Sequence, residues 1–193
     1  MPIFTANPLS SELIAHISGI TYQENPHISL EELCALCINY NDFEGRTCIG
    51  EMICAAEVAD DLLFVFKGLF EAGYRIEKIQ LADVYGGDDD LIMADNCTSC
   101  FNYRCVAGTD TLSMHALGRA VDINPLYNPY IVGDKIMPPA GAAYADRTRD
   151  FPHKIDESDL CYRLFKRRGW KWGGHWTAEK DYQHFYKPLR ALY

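Results

Sequence analysis

The sequence predicts an α+β domain built on an antiparallel sheet with flanking helices. Two strand-like runs, 33–41 and 47–54, are separated by a turn of hairpin length around Asp42 and Gly45. Further strand-like segments stand before and after two helix-like stretches, 55–72 and 156–168, again joined by short connections. No internal repeat, low-complexity tract or long linker interrupts the chain.

Taken in order, residues 1–28 are polar, carry Pro2, Pro8 and Pro26, and read as an N-terminal arm. One short helix near 10–17 breaks it. The folded domain is expected over 29–193. Ser29 and Glu32 stand at capping-box spacing, so a helical turn begins there. The hairpin 33–41/47–54 follows. Val58, Leu62, Val65, Phe66 and Leu69 then recur at helical spacing, and Gly73 terminates that helix. A strand is expected over 76–84, and a solvated acidic loop over Gly86 to Asp90. Strands are expected at 101–104 and 119–124. An irregular stretch rich in Pro, Gly, Ala and Tyr runs over 125–152, and so long a loop is often functional. The helix 156–168 ends at Gly169, and strands 170–173 and 182–186 close the domain.

Composition excludes several classes of function. Of 193 residues, 48% are hydrophobic and 23% charged, as in ordinary soluble domains. The net charge of −9 repels phosphate backbones, so nucleic acid is not an expected partner. Arg163, Lys166, Arg167 and Arg168 have the spacing of a solvated helix face. No apolar run is long enough for a membrane span. The N-terminus lacks the basic and apolar regions of a signal peptide, so the chain acts in the cytoplasm, leaves by another route, or has lost a leader. The 12 Tyr and 3 Trp suit a core, or a cleft for a sugar or peptide.

Eight cysteines include two CxxC pairs, Cys34/Cys37 and Cys97/Cys100, the spacing of a four-thiolate zinc site. Strand alternation sends Cys34 and Cys37 to opposite faces, which argues against that site. Buried free thiols are the ordinary reading, and disulfides the reading for an exported chain.

The chemistry concentrates in Ser113-Met-His115-Ala-Leu-Gly118-Arg-Ala120-Val-Asp122 and in Asp181-Tyr-Gln-His184. A hydrolytic zinc needs three protein ligands and an open fourth position. His115 and Asp122 are too far apart to share an ion on one continuous helix. A turn at Gly118 followed by a strand lets them converge. Asp181 precedes His184 by three residues, where a carboxylate that is not a ligand can serve as general base. An arginine such as Arg104 can stabilise a developing oxyanion.

These segments resemble the zinc D-Ala-D-Ala carboxypeptidases and dipeptidases and the related phage L-alanyl-D-glutamate endopeptidases, whose fold is shared with the hedgehog signalling domain. The family pattern Ser-x-His-x-x-Gly-x-Ala-x-Asp is matched at Ser113, His115, Gly118, Ala120 and Asp122 without departure, and its downstream half at Asp181 and His184. Many relatives have Glu where this chain has Asp181. The resemblance covers about residues 45–193. It implies a hedgehog/DD-peptidase-like fold with one zinc ion per chain, held by His115, Asp122 and His184. It implies Asp181 as catalytic base and Arg104 facing the substrate carbonyl, with Ser113, Trp176 and Tyr130 as substrate contacts. His175 is expected to stay outside the coordination sphere. The implied activity is a bacterial metallopeptidase of the D-Ala-D-Ala carboxypeptidase type. Its substrates would be peptidoglycan stem peptides or other peptides ending in D-Ala-D-Ala, met at the cell envelope. Two alternatives stand beside it: a noncatalytic cell-wall-binding module that keeps zinc as a prop, and a cytoplasmic metal carrier using the CxxC thiols.

Overall fold

The computed structural model describes residues 1–189; positions 190–193, the tail of the expected domain, lie outside the described residues. Strand β1 (Phe4–Pro8) and helix α1 (Ser11–Ile17) form the N-terminal segment. Ser10 caps α1 by accepting from the Leu13 N–H at 3.1 Å. The polar stretch read as an arm is a sheet edge: β1 pairs antiparallel with β2 (Leu33–Asn41), from Phe4 opposite Ile38 to Pro8 opposite Cys34. Two prolines at its borders conceal it, and an edge strand tolerates Pro because one side of its ladder is unpaired.

The predicted hairpin is present. β2 pairs with β3 (Thr47–Ala55) along its full length. The Arg46 N–H and its guanidinium both bond Asp42, closing the turn. A short 3-10 turn then leads into α2 (Ala59–Glu71), so the helix starts later than its periodicity suggests. Leu62, Val65, Phe66 and Leu69 are at most 1% exposed, on a helix that packs against β2 and the later helix over Leu160–Arg167. Each such side chain contributes roughly 1.5–3 kcal/mol by leaving water. Gly73, at φ +70°, ends α2 in the left-handed conformation expected of a terminating glycine.

From here the elements are shorter than the sequence suggests. The strand expected over 76–84 is only β4 (Lys78–Ile79), pairing in parallel with β5 (Cys97–Thr98), and residues 82–85 form a 3-10 turn. The acidic loop is a helix start: Asp88 accepts from the N–H groups of Asp90 and Leu91 and caps α3 (Asp89–Ala94). Acidic residues in a first turn oppose the positive end of the helix dipole, a signal that a solvated-loop reading overlooks. Residues 101–104 are not a strand. Their N–H groups go to different segments: Phe101 to Ile53, Asn102 to His115 and Tyr103 to Thr21.

β6 (Ala120–Asp122) lies within the expected 119–124 strand. The stretch 125–152 is more regular than its composition implies. It holds a hairpin, β7 (Tyr130–Val132) with β8 (Lys135–Met137), and a 3-10 segment over 139–144. Helix α4 (Leu160–Arg167) begins at an Asp159 cap, four residues after its expected start. Arg163, Lys166 and Arg167 face solvent as expected. The last strands are β9 (Lys171–Trp172), β10 (Lys180–Asp181) and β11 (His184–Tyr186).

Among the described residues the result is an α+β architecture with three three-stranded antiparallel sheets, β1-β2-β3, β10-β7-β8 and β6-β11-β9, beside the parallel pair β4-β5. Phe165 of α4 stacks on Phe185 of β11 at 4.3 Å, joining the helical layer to the sheet that carries the candidate site. Among the described residues, no helix is long and apolar enough to cross a membrane.

Candidate metal centre

The site is built where β6 and β11 meet. Their register sets His184 directly opposite Asp122. His115 arrives from a 3-10 turn over 114–117 just before β6. Ser113 starts that turn, its Oγ accepting from the His115 N–H at 3.2 Å. Gly118 ends it at φ +61°. A Cβ at Gly118 would lie 2.4 Å from the Ala55 nitrogen, so only glycine lets the turn press against the end of β3.

The three side chains converge. His115 Nε2 lies 3.1 Å from His184 Nδ1 and 3.1 Å from an Asp122 oxygen, and His184 Nδ1 lies 3.0 Å from the other. All three are buried, and their ligand atoms fall within 4.8 Å of one another, a group able to hold a metal ion. Two atoms bonded at about 2.0–2.1 Å around a tetrahedral zinc stand about 3.3 Å apart, close to these separations. His115 Nδ1 lies 2.6 Å from the Cys100 carbonyl oxygen. A carbonyl only accepts, so Nδ1 carries the proton and Nε2 presents its lone pair. Burial and two imidazoles with one carboxylate thus fit a zinc ion. Among the described residues, no cysteine joins the group.

Charge reinforces the arrangement. Burial would raise the Asp122 carboxyl, but His115 and His184 outweigh it and hold it well below the usual carboxylate range. Burial would lower His115, and Asp122 reverses that to a net rise. Asp181 behaves oppositely. Burial pushes its carboxyl up to about 8, with His184 opposing and the charges of Asp122 and Asp89 adding to the rise.

Asp181 sits on β10 opposite Tyr130 of β7. A Cβ on Gly173 would stand 2.6 Å from the Asp181 carbonyl oxygen, so the bare glycine backbone lets β10 approach. Asp181 Oδ1 and Arg104 Nε are both enclosed without a hydrogen-bond partner among the described residues. Arg104 is drawn beside the centre by a Ser113 N–H bond to its carbonyl, and its charge is felt at His115. Its guanidinium also bonds Asp89 at 2.7 Å.

The remaining predicted residues are placed as follows. Trp176 packs its ring 5.4 Å from that of His184, walling the centre. The Tyr130 hydroxyl donates to Glu179 at 2.5 Å. Ser113 is buried in the turn that presents His115. His175 lies outside the group, bonded to Glu157 at 3.0 Å. The supporting roles of Asp89, Cys100 and Gly173 at the centre are not evident from the sequence. Of these only Asp89 leaves a signal, a helix-capping acidic run preceding an arginine by fifteen residues. The other two act through backbone atoms.

Residues 107–187 match the family model described as D-alanyl-D-alanine carboxypeptidase. That family is one of zinc-dependent peptidases, and the matched segment contains His115, Asp122, Asp181 and His184 but not Arg104. The match supports a peptidase with a peptide substrate. Comparisons with curated proteins and with solved structures found no match.

Proposed function

We propose that this chain is a zinc metallopeptidase of the D-Ala-D-Ala carboxypeptidase type, on a hedgehog/DD-peptidase-like fold. It hydrolyses peptide bonds in bacterial peptidoglycan stem peptides at the cell envelope. The observation that carries the reading is the convergence of His115, Asp122 and His184 inside a segment matched by that family.

His115 Nε2, His184 Nδ1 and an Asp122 oxygen would hold one zinc ion. When bound, zinc acidifies a water toward neutral pH and polarises a carbonyl. The chain's own groups do the rest. Asp181 Oδ1, enclosed and unpartnered, accepts a proton from the attacking water and returns it to the leaving amine. Arg104, whose Nε also lacks a partner, donates to the carbonyl oxygen as charge develops there. Trp176 and Tyr130 flank the substrate, and Ser113 holds the turn that presents His115. The two orphaned polar atoms favour hydrolysis over a noncatalytic wall-binding module, which has no use for an acceptor and a donor held ready.

The test pairs metal content with turnover on a stem pentapeptide ending in D-Ala-D-Ala. His115→Ala and His184→Ala are expected to lose zinc and activity together. Asp181→Asn is expected to keep zinc and lose at least a hundredfold in kcat, the order expected for general acid–base catalysis. Full activity in all three variants ends the proposal.

A further inference from the structure

Outside the metal-binding group, the structure brings two thiols together in a way the hydrolytic chemistry does not use. Cys34 of β2 and Cys54 of β3 are direct register partners, so their side chains rise from the same face. Their sulfurs stand 3.6 Å apart. Facing residues of an antiparallel ladder have Cα atoms about 4.5–5.5 Å apart, inside the range of about 4.4–6.8 Å that a disulfide spans. Closing the gap to about 2.05 Å draws the two Cβ atoms, and with them the facing backbones, slightly together without changing the strand pairing.

The pair is asymmetric. Cys34 keeps 6% of its surface and Cys54 none. The hydrogen bond from Cys54 draws Cys34 below an ordinary thiol, while that bond and burial push Cys54 well above. Cys34 is therefore the sulfur more readily ionised and more readily reached, with a protonated partner beside it.

We propose that Cys34 and Cys54 form a peroxide-reactive dithiol that closes to a cross-strand disulfide and reopens on reduction by a small thiol. The Cys34 thiolate attacks one oxygen of hydrogen peroxide. The O–O bond breaks, hydroxide leaves, and Cys34 becomes a sulfenic acid. Cys54 sulfur then attacks Cys34 sulfur; the S–O bond breaks, and the departing hydroxide leaves with the Cys54 proton as water. The two thiols lose two electrons and peroxide gains them. A dithiol such as dithiothreitol reverses the step by exchange, becoming oxidised itself.

Closure reaches the metal centre through backbone. The Ala55 N–H donates to the Gly118 carbonyl at 2.9 Å. The Cys54 carbonyl carbon stands only 2.9 Å from where a Gly118 Cβ would be. Gly118 ends the turn that presents His115, so a shift at Cys54 moves the surface on which that turn rests. Oxidised protein is accordingly expected to release zinc faster than reduced protein.

The experiment uses the zinc-loaded full chain with Cys105→Ser, which removes the exposed thiol. The protein is treated with equimolar hydrogen peroxide, alkylated, and analysed by intact mass and peptide mapping. The expected result is loss of two hydrogens, two fewer alkylated thiols, a Cys34–Cys54 linkage, and full reversal by dithiothreitol. Cys54→Ala is expected to stop at sulfenic acid on Cys34. Linkage through any other cysteine, or a Cys34–Cys54 linkage that appears only after denaturation, overturns the dithiol. Equal zinc release to a chromophoric chelator from oxidised and reduced protein overturns the coupling. Neither readout requires peptidase activity, so failure here leaves the hydrolytic reading intact.

Discussion

Gly118→Ala tests how the metal turn is held. The residue lies at φ +61°, where an alanine costs about 1–2 kcal/mol. Its Cβ would also stand 2.4 Å from the Ala55 nitrogen and 2.9 Å from the Cys54 carbonyl carbon. Both are backbone atoms of β3, whose ladder with β2 resists movement, so overpacking adds about 1–3 kcal/mol. The sum is about 2–5 kcal/mol. In a chain of this size, at about 2–4 °C per kcal/mol, that lowers Tm by roughly 4–20 °C. Gly19→Ala is the control: Gly19 has φ +80° and nothing within 4 Å of a Cβ, so it carries the backbone cost alone. Melts with chelator and with zinc separate two effects. The chelator series reads the fold. The zinc-induced rise in Tm reads affinity, and it is expected to shrink in Gly118→Ala because the turn presents His115. If Gly118→Ala melts no lower than Gly19→Ala and gains as much from zinc as the parent, the turn does not depend on its contact with β3.

Asp61 bonds Arg168, Trp170 and Lys187, tying α2 to α4 and the C-terminal strands; Asp61→Ala is expected to lose about 2–4 kcal/mol in urea unfolding. His153 stacks on Phe43 at 3.8 Å, and burial lowers its imidazole below the ordinary value of 6.5. The unfolded chain then binds the proton more readily, so this contribution is complete above pH 6.5 and is lost as pH falls through the lower folded value. His153→Asn, which tolerates the positive φ at this position, is expected to flatten the loss of stability that sets in as pH falls below 6.5, read by thermal melts across a pH series. Trp176→Ala is expected to raise KM for the stem pentapeptide more than it lowers kcat, because its ring flanks the centre without offering a proton or a ligand atom.

What could be read from the sequence divides along physical lines. Helix α2 was legible because Leu62, Val65, Phe66 and Leu69 recur at a period of 3.6, and the β2–β3 hairpin because two largely apolar runs flank a short turn around Asp42 and Gly45. The convergence of His115 with Asp122 was legible through Gly118, whose backbone freedom turned a spacing impossible on a helix into a possible one. The short strands β5 and β10 were not legible, because two residues carry no periodicity. Residues 101–104 misled for a related reason: their alternation is real, but their backbone bonds go to several segments instead of one ladder. The Asp89 contact with Arg104 was hidden by reading three consecutive acids as solvated when the first of them caps a helix. The supports from Cys100 and Gly173 are made by a carbonyl and by a missing side chain, which residue identity does not announce.

Asp122 and His184 face each other across β6 and β11, although 62 positions separate them in the chain. An ion gripped by both would clasp two strands at the point where a long excursion returns on itself, opposing the entropy that pulls such a closure apart. Occupancy and cohesion of that seam would then rise and fall together, so stripping the metal would slacken the same ladder that brings its ligands into line.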